Sequence, residues 1–263
     1  MARPDGMGTV HLPGSVHAAW SDVSAGDLRP VGHGPRDGAS LAAFATSVAA
    51  PTGASLDEVD WVTQVHGARV VEVSRAVAVT GTTGTTGATT PVDPDHVPCR
   101  NLGAADALVA DSGGIAVCVL TADCAPLALA SPEGVFAAVH AGWRGLVAGV
   151  VDATVVRMRA AGATAVSGAL GPCIHAGCYE FGATDLDAVA GAFGRTVRGT
   201  TARGTPALDM VAGVRAALDA AGASLVDGVD VCTACGGGQY SHRARGDAGR
   251  QALVVWSTAG MPS

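Results

Sequence analysis

The chain has 263 residues, 48% of them apolar and 4% aromatic, with a formal charge of −7. That is enough apolar material for one large core or two small ones, and too much for a chain that stays disordered. Its 16 Lys and Arg are scattered and build no basic face for nucleic acid, no run of 18 apolar residues could span a membrane, and no apolar signal segment follows the first arginine.

A cytoplasmic location is therefore expected. The seven cysteines, an odd number without a signal segment, are expected to be reduced.

Residues 1–60 read as irregular, apart from a short helix over 38–50 that ends at Pro51. Residues 60–65 read as a strand that stops at His66-Gly67, and 68–73 as another. Residues 80–98, Thr and Gly repeats followed by three prolines, predict a flexible surface loop within a single domain spanning 1–263. Strand-like material resumes at 105–109 and continues in apolar runs at 115–120, 126–130 and 135–140. Ser131-Pro132-Glu133-Gly134 is a turn between the last two. Val147, Val150, Val151, Val155 and Met158 recur at helical spacing and predict one helix over 146–161. Further helices are expected at 184–193 and 209–221, and closing strands at 229–231 and 252–256. Strands mixed with helices in no regular alternation point to a layered α+β fold on mixed β-sheet. No internal repeat, phosphate loop or dinucleotide fingerprint is present.

The turn at 131–134 brings two chemically active residues together. If it closes a hairpin, residues whose numbers sum to about 265 face each other, and opposed Cβ atoms lie about 4.5–5.5 Å apart. His140 then faces Ala125, next to Cys124. A neighbouring Cys and His can form a thiolate nucleophile with its base. They can equally ligate Zn²⁺, which needs a third ligand and an open position for catalysis. His66, at a strand end, is the best third ligand. Taken singly, each of the three reads as a core cysteine or a hydrogen-bonded histidine. Taken together, with Gln64, Asp123 and Arg144 beside them, they read as a site.

Four stretches carry a family resemblance: Gln64-Val65-His66-Gly67, Thr121-Ala122-Asp123-Cys124-Ala125-Pro126, Val139-His140-Ala141-Gly142-Trp143-Arg144-Gly145, and Gly171-Pro172-Cys173-Ile174 with Cys178-Tyr179-Glu180. Cys232-Thr233, Ser241-His242-Arg243 and Gly249-Arg250 fit more loosely. Over residues 60–256 the chain resembles the laccase-domain family, once called multicopper polyphenol oxidases and now regarded as zinc-dependent purine nucleoside phosphorylases. The resemblance implies an α+β sandwich with mixed sheets and outer helices. It implies zinc, rather than copper, on His66, Cys124 and His140, and phosphorolysis of adenosine, inosine and 5′-methylthioadenosine, with adenosine deamination alongside. The partners would be a purine nucleoside and phosphate, and the protein a monomer or homodimer. Asp123 and Arg144 join the triad as catalytic candidates; Gln64, Arg144 and Arg243 are the substrate-binding candidates.

The chain departs from the family in three places, one of them the absence of the Asn expected in a Ser-Leu-Asn-like segment. Val23 stands where an N-terminal Arg is expected, and Ser241-His242-Arg243-Ala244 replaces Ser-Tyr-Arg-Arg, which puts the substrate range in question. The rival classes are a copper-dependent polyphenol oxidase, a cysteine hydrolase using Cys124 and His140, and a binding module without metal. Cys232-Thr233-Ala234-Cys235, with Cys173 and Cys178, could supply a four-thiolate zinc site, but the spacings do not suit a compact knuckle, and buried or hairpin cysteines are expected instead. His11, His17, His33, His96 and His175 are expected in solvent, and Asp106 and Glu180 as structural hydrogen-bonders.

Overall fold

A computed structural model describes residues 8–30, 38–74, 97–228 and 230–259. The loop expected at 80–98 lies outside the described residues except for Val97 and Pro98, as do His33 and His96.

The chain opens with β1 (Gly8–Leu12) and β2 (Val16–Trp20), then α1 (Ala39–Ala49), β3 (Glu58–Thr63) and β4 (Val70–Val73). Next come β5 (Cys99–Ala104), β6 (Ala107–Ala110), β7 (Ile115–Thr121), β8 (Ala125–Ala130) and β9 (Phe136–Ala141). Helices α2 (Trp143–Val147) and α3 (Val150–Ala160) lead to β10 (Ser167–Leu170) and α4 (Ala183–Phe193). The C-terminal part holds β11 (Arg198–Thr200), β12 (Pro206–Leu208), α5 (Met210–Ala220), β13 (Ser224–Gly228), α6 (His242–Arg245) and β14 (Gln251–Ser257).

Two six-stranded mixed sheets dominate, ordered β1-β2-β14-β7-β3-β5 and β13-β10-β8-β9-β6-β4. They pack face to face, and side-chain alternation assigns each residue to a layer. Val117, Val119, Leu253 and Val255 of the first sheet meet Leu108, Ala128, Phe136 and Ala138 of the second. The neighbours Ala116, Cys118, Val254 and Trp256 turn outward onto Leu41, Phe44 and Ala45 of α1. Leu127, Leu129, Ala137 and Val139 turn outward onto α3 and α5, against Val151, Val155, Met158 and Val214. Every residue of β7, β8, β9 and β14 is buried, which is why they read as continuous apolar runs rather than alternating ones. At the edge, buried Asp60 of β3 takes a two-pronged ion pair from Arg100 of β5, both contacts at 2.8 Å.

Several expectations are corrected. Residues 8–20 are a hairpin rather than irregular. The helix expected at 146–161 is two helices, because Gly149 adopts φ 87°, the left-handed region that interrupts helical hydrogen bonding. The strand expected at 229–231 lies earlier, as β13, and runs parallel to β10. The β8–β9 register pairs Pro126 with His140 and Ala125 with Ala141, one residue displaced from expectation. His17 is half-buried and stacks on Trp256 at 5.5 Å instead of facing solvent. No helix among the described residues is long and apolar enough to cross a membrane.

Candidate metal centre

The site forms where the chain passes between the two sheets. His66 lies on the link from β3, in the first sheet, to β4, in the second; Cys124 lies on the corresponding link from β7 to β8. His140 is the next-to-last residue of β9 and, by alternation, shares the inter-sheet face of Ala138 and Phe136. One ligand atom from each of the three lies within 4.8 Å of the other two, and the two imidazole rings meet edge to face at 4.9 Å. All three sequence candidates for metal ligation therefore come together.

Asp106, fully buried at the start of β6, holds this arrangement. Its carboxylate accepts from His140 Nδ1 at 2.8 Å and from the backbone N–H groups of His66 at 2.9 Å and Gly67 at 2.7 Å. The first contact fixes the His140 tautomer and leaves Nε2 as the ligand atom. The other two hold His66 in a left-handed turn at φ 59°, which a non-glycine residue adopts only with such support. Burial works against ionisation of Asp106, but the hydrogen bonds from His140, Gly67 and His66 keep its carboxyl below the ordinary range. The reading of Asp106 as a structural hydrogen-bonder fits this position.

Burial likewise opposes a thiolate at Cys124, yet the adjacent His140 and His66 bring its pKa below the ordinary thiol value. His140, disfavoured as a cation by burial, is raised by the Cys124 sulfur and the Asp106 carboxylate. The two shifts favour a thiolate beside a cationic imidazole, and the three side chains together offer a metal one sulfur and two nitrogen donors. Gly142 explains part of the His-Ala-Gly-Trp-Arg-Gly run. A Cβ there would lie 2.6 Å from His66 Nδ1 and 3.1 Å from Cys124 Sγ, inside the space the triad needs.

The triad lines a cleft of ≈ 760 Å³, within the range of small-molecule sites. Four arginines line it: Arg29, Arg144, Arg243 and Arg250. Arg29 is paired with Asp27 at 2.6 Å, and Arg250 caps backbone carbonyls of Asp247, Ala248 and Gly249. Arg144 lies over Trp143 at 4.3 Å and Arg243 over Tyr179 at 5.1 Å, and neither is ion-paired among the described residues. These two are the cations left available for an anionic ligand. The helix expected to begin at Leu146 begins at Trp143, so Arg144 sits within its first turn.

Gln64 and Asp123 also line the cleft, but their polar atoms are committed to the protein. The Gln64 amide grips both the N–H and the carbonyl of Leu120, clamping β3 to β7. Asp123, at φ 95°, accepts from the hydroxyls of Thr233 and Ser241 and from the backbone N–H of Arg243, each at 2.6 Å. It therefore anchors the segment that carries Arg243. Val23 does not line the cleft, whereas Arg29 does. Arg29, Trp61, Thr63, Tyr179 and His242 were not singled out as site residues by sequence reasoning; only Tyr179 and His242 lie in motifs that could have flagged them.

The profile of the family described as "Multi-copper polyphenol oxidoreductase laccase" matches residues 36–258. A Streptomyces griseus protein named purine nucleoside phosphorylase ORF3 is 38% identical over 94% of this chain and 97% of its own length. A Streptomyces coelicolor protein, also named a purine nucleoside phosphorylase, is 35% identical over 90% of this chain and 92% of its own. The crystal structure of a Neisseria meningitidis protein of family DUF152 superposes with a TM-score of 0.70 at 25% identity, covering 96% of this chain and 99% of that one. That of YlmD from Geobacillus stearothermophilus gives 0.68 at 22%, with 98% of each chain covered, and attests the fold.

Proposed function

The chain belongs to the multi-copper polyphenol oxidoreductase laccase family, and from that premise we propose that it is a zinc-dependent purine nucleoside phosphorylase acting on adenosine, inosine and 5′-methylthioadenosine, with adenosine deamination as a second activity. The observation that carries this reading is the convergence of His66, Cys124 and His140 in a nucleoside-sized cleft with two unpaired arginines. The names of the Streptomyces relatives support it.

The donor set suits zinc: one thiolate, two imidazoles and an open side toward the cleft. Bound there, zinc supplies a Lewis acid that polarises substrate without proton transfer. Two imidazoles and a thiolate also suit copper, but the thioether that completes such copper centres has no counterpart among the described residues, none of whose Met side chains lines the cleft. A cysteine hydrolase would need Cys124 and His140 alone and leaves the convergence of His66 unexplained.

The chain's own residues do the remaining work. Breaking a purine N-glycosidic bond leaves positive charge on the ribose and negative charge on the base. Arg144 and Arg243 hold phosphate for attack on the ribose, each able to offer two parallel N–H donors. The Trp143 and Tyr179 rings hold their guanidinium groups in place. Asp106 keeps His140 a ligand rather than a free base. Asp123 and Gln64 act as positioning residues, through Arg243 and Leu120.

The test incubates zinc-loaded protein with inosine, adenosine and 5′-methylthioadenosine, with and without phosphate, and follows products by chromatography. Free base is expected only with phosphate, together with ribose 1-phosphate from inosine and adenosine and 5-methylthioribose 1-phosphate from 5′-methylthioadenosine. Arg144→Ala should raise KM for phosphate by about 10- to 100-fold, the loss of a charge-assisted contact. Base released equally without phosphate would make the enzyme a hydrolase, and no turnover in any mixture would remove the reading.

A further inference from the structure

Three cysteines converge away from the cleft. Cys178 ends a single 3-10 turn, Ala176–Cys178, just ahead of Tyr179. Cys232 and Cys235 bracket a tight turn closed by the Cys235 N–H on the Cys232 carbonyl at 3.3 Å. The three sulfurs lie within 4.8 Å of one another, with Cys178 and Cys235 at 3.2 Å. Cys173, which the sequence grouped with them, is buried in the core.

From this geometry we infer that Cys178, Cys232 and Cys235 form a second metal site, for a thiophilic d¹⁰ cation such as Zn²⁺, with the fourth ligand taken from solvent. Zinc–sulfur bonds of about 2.3 Å in a tetrahedral array put sulfurs about 3.8 Å apart. A disulfide requires about 2.05 Å, so the 3.2 Å pair is not bonded. The second observation is the backbone around Cys232. Its sulfur accepts the N–H of His175 at 3.4 Å. A backbone donor aimed at a sulfur favours its thiolate, and a Cys-x-x-Cys turn presents two sulfurs to one zinc ion. The third sulfur comes from a segment more than fifty residues earlier, so local spacing around Cys232 and Cys235 does not display the cluster.

Charge and access fit as well. Three thiolates around a divalent cation carry one net negative charge, and Arg245, which also pairs with Asp247 at 2.9 Å, lies against the turn, donating to the carbonyls of Thr233, Ala234, Gly236 and Gln239. Cys235 is exposed, so an ion and a solvent ligand can enter. The site would join the turn before Tyr179 to the segment that leads to Arg243, and so tie together the aromatic–guanidinium wall of the cleft. It stands whether or not the cleft performs phosphorolysis.

Elemental analysis of the full chain tests it. Wild type should hold two zinc ions, and Cys124→Ala and the double variant Cys178→Ser/Cys235→Ser one each. After exchange with Co²⁺, thiolate-to-cobalt absorption should persist largely in Cys124→Ala, since three of four thiolates remain. That measurement holds even where the double variant fails to fold. One zinc in wild type, lost entirely in Cys124→Ala, would overturn the site. So would non-reducing peptide mapping that recovers Cys178 and Cys235 as a disulfide in the isolated protein.

Discussion

Asp106 does three things with one buried carboxylate: it sets the His140 tautomer, shapes the His66 turn and balances the charge of the metal ligands. Asp106→Asn keeps the shape but presents an amide N–H₂ to groups that donate. Zinc affinity should fall about 10- to 100-fold, the usual consequence of losing such a supporting carboxylate. Competition with a chelator of known affinity measures this, and unchanged affinity would leave Asp106 with a purely structural role. Gly142→Ala removes no ligand but inserts a methyl 2.6 Å from His66 Nδ1, so it should weaken zinc binding in the same assay while β9 stays folded. The triad was legible in the sequence because a recognisable turn measured the distance from Cys124 to His140, and a one-residue register error still left them neighbours. Arg29 was not legible as a site residue, because only the packing of distant segments brings it to the cleft. The commitments of Gln64 and Asp123 to backbone and hydroxyl partners were hidden for the same reason.

The elements legible in the sequence were those whose burial is local in pattern. β7, β8 and β9 are continuous apolar runs, and α1, α4 and α5 end near Gly or Pro. β5 was missed because Cys-Arg-Asn-Leu-Gly-Ala has little strand preference and exists through pairing with β3 and the Arg100–Asp60 contact. β10, Ser-Gly-Ala-Leu, was missed for its small residues, though β8 and β13 flank it. The α2–α3 break carries its own prediction. Nothing lies within 4 Å of a Cβ at Gly149, so Gly149→Ala tests conformation alone. It should cost about 1–2 kcal/mol, the left-handed penalty for a non-glycine residue, read from denaturant unfolding. The β2–β14 pair carries another. His17, between His11 and Trp256, has its pKa lowered by burial and then by His11. Below its unfolded value of about 6.5 the unfolded chain binds the proton more readily. His17 thus favours folding fully above that pH, and this contribution is lost as pH falls through the lowered folded value. Stability measured from pH 7.5 to 5 should decline less steeply in His17→Gln than in wild type; identical slopes would show that His17 does not contribute.

Across the whole molecule, the candidate metal centre gathers residues from both sheets that the hydrogen bonds of Asp106 and Gln64 already hold close. His66 and Cys124 lie on the two links that cross from one sheet to the other, and His140 closes the set from β9. A metal bound there ties both crossings to the second sheet, and the unfolded chain lacks this convergence. Binding should therefore stabilise the fold by mass action: free metal at about 100 times Kd contributes about 2.7 kcal/mol. For a chain of this size, each kcal/mol shifts Tm by about 2–4 °C, so stripping this site should lower Tm by about 5–10 °C. The measurement belongs in the Cys178→Ser/Cys235→Ser background, where the cleft triad is intact and the second cluster cannot contribute. Chelator should lower Tm there, and stoichiometric zinc should restore it. In the same background carrying Cys124→Ala, chelator should have no effect. Hydrogen exchange adds a spatial readout: on metal removal, faster exchange should concentrate at residues 64–67 and 121–125, with the centres of β7, β8 and β9 unchanged. A Tm indifferent to chelator, or exchange that rises evenly over both sheets, would separate the triad from metal binding and return Cys124 and His140 to the role of a thiolate–imidazolium pair.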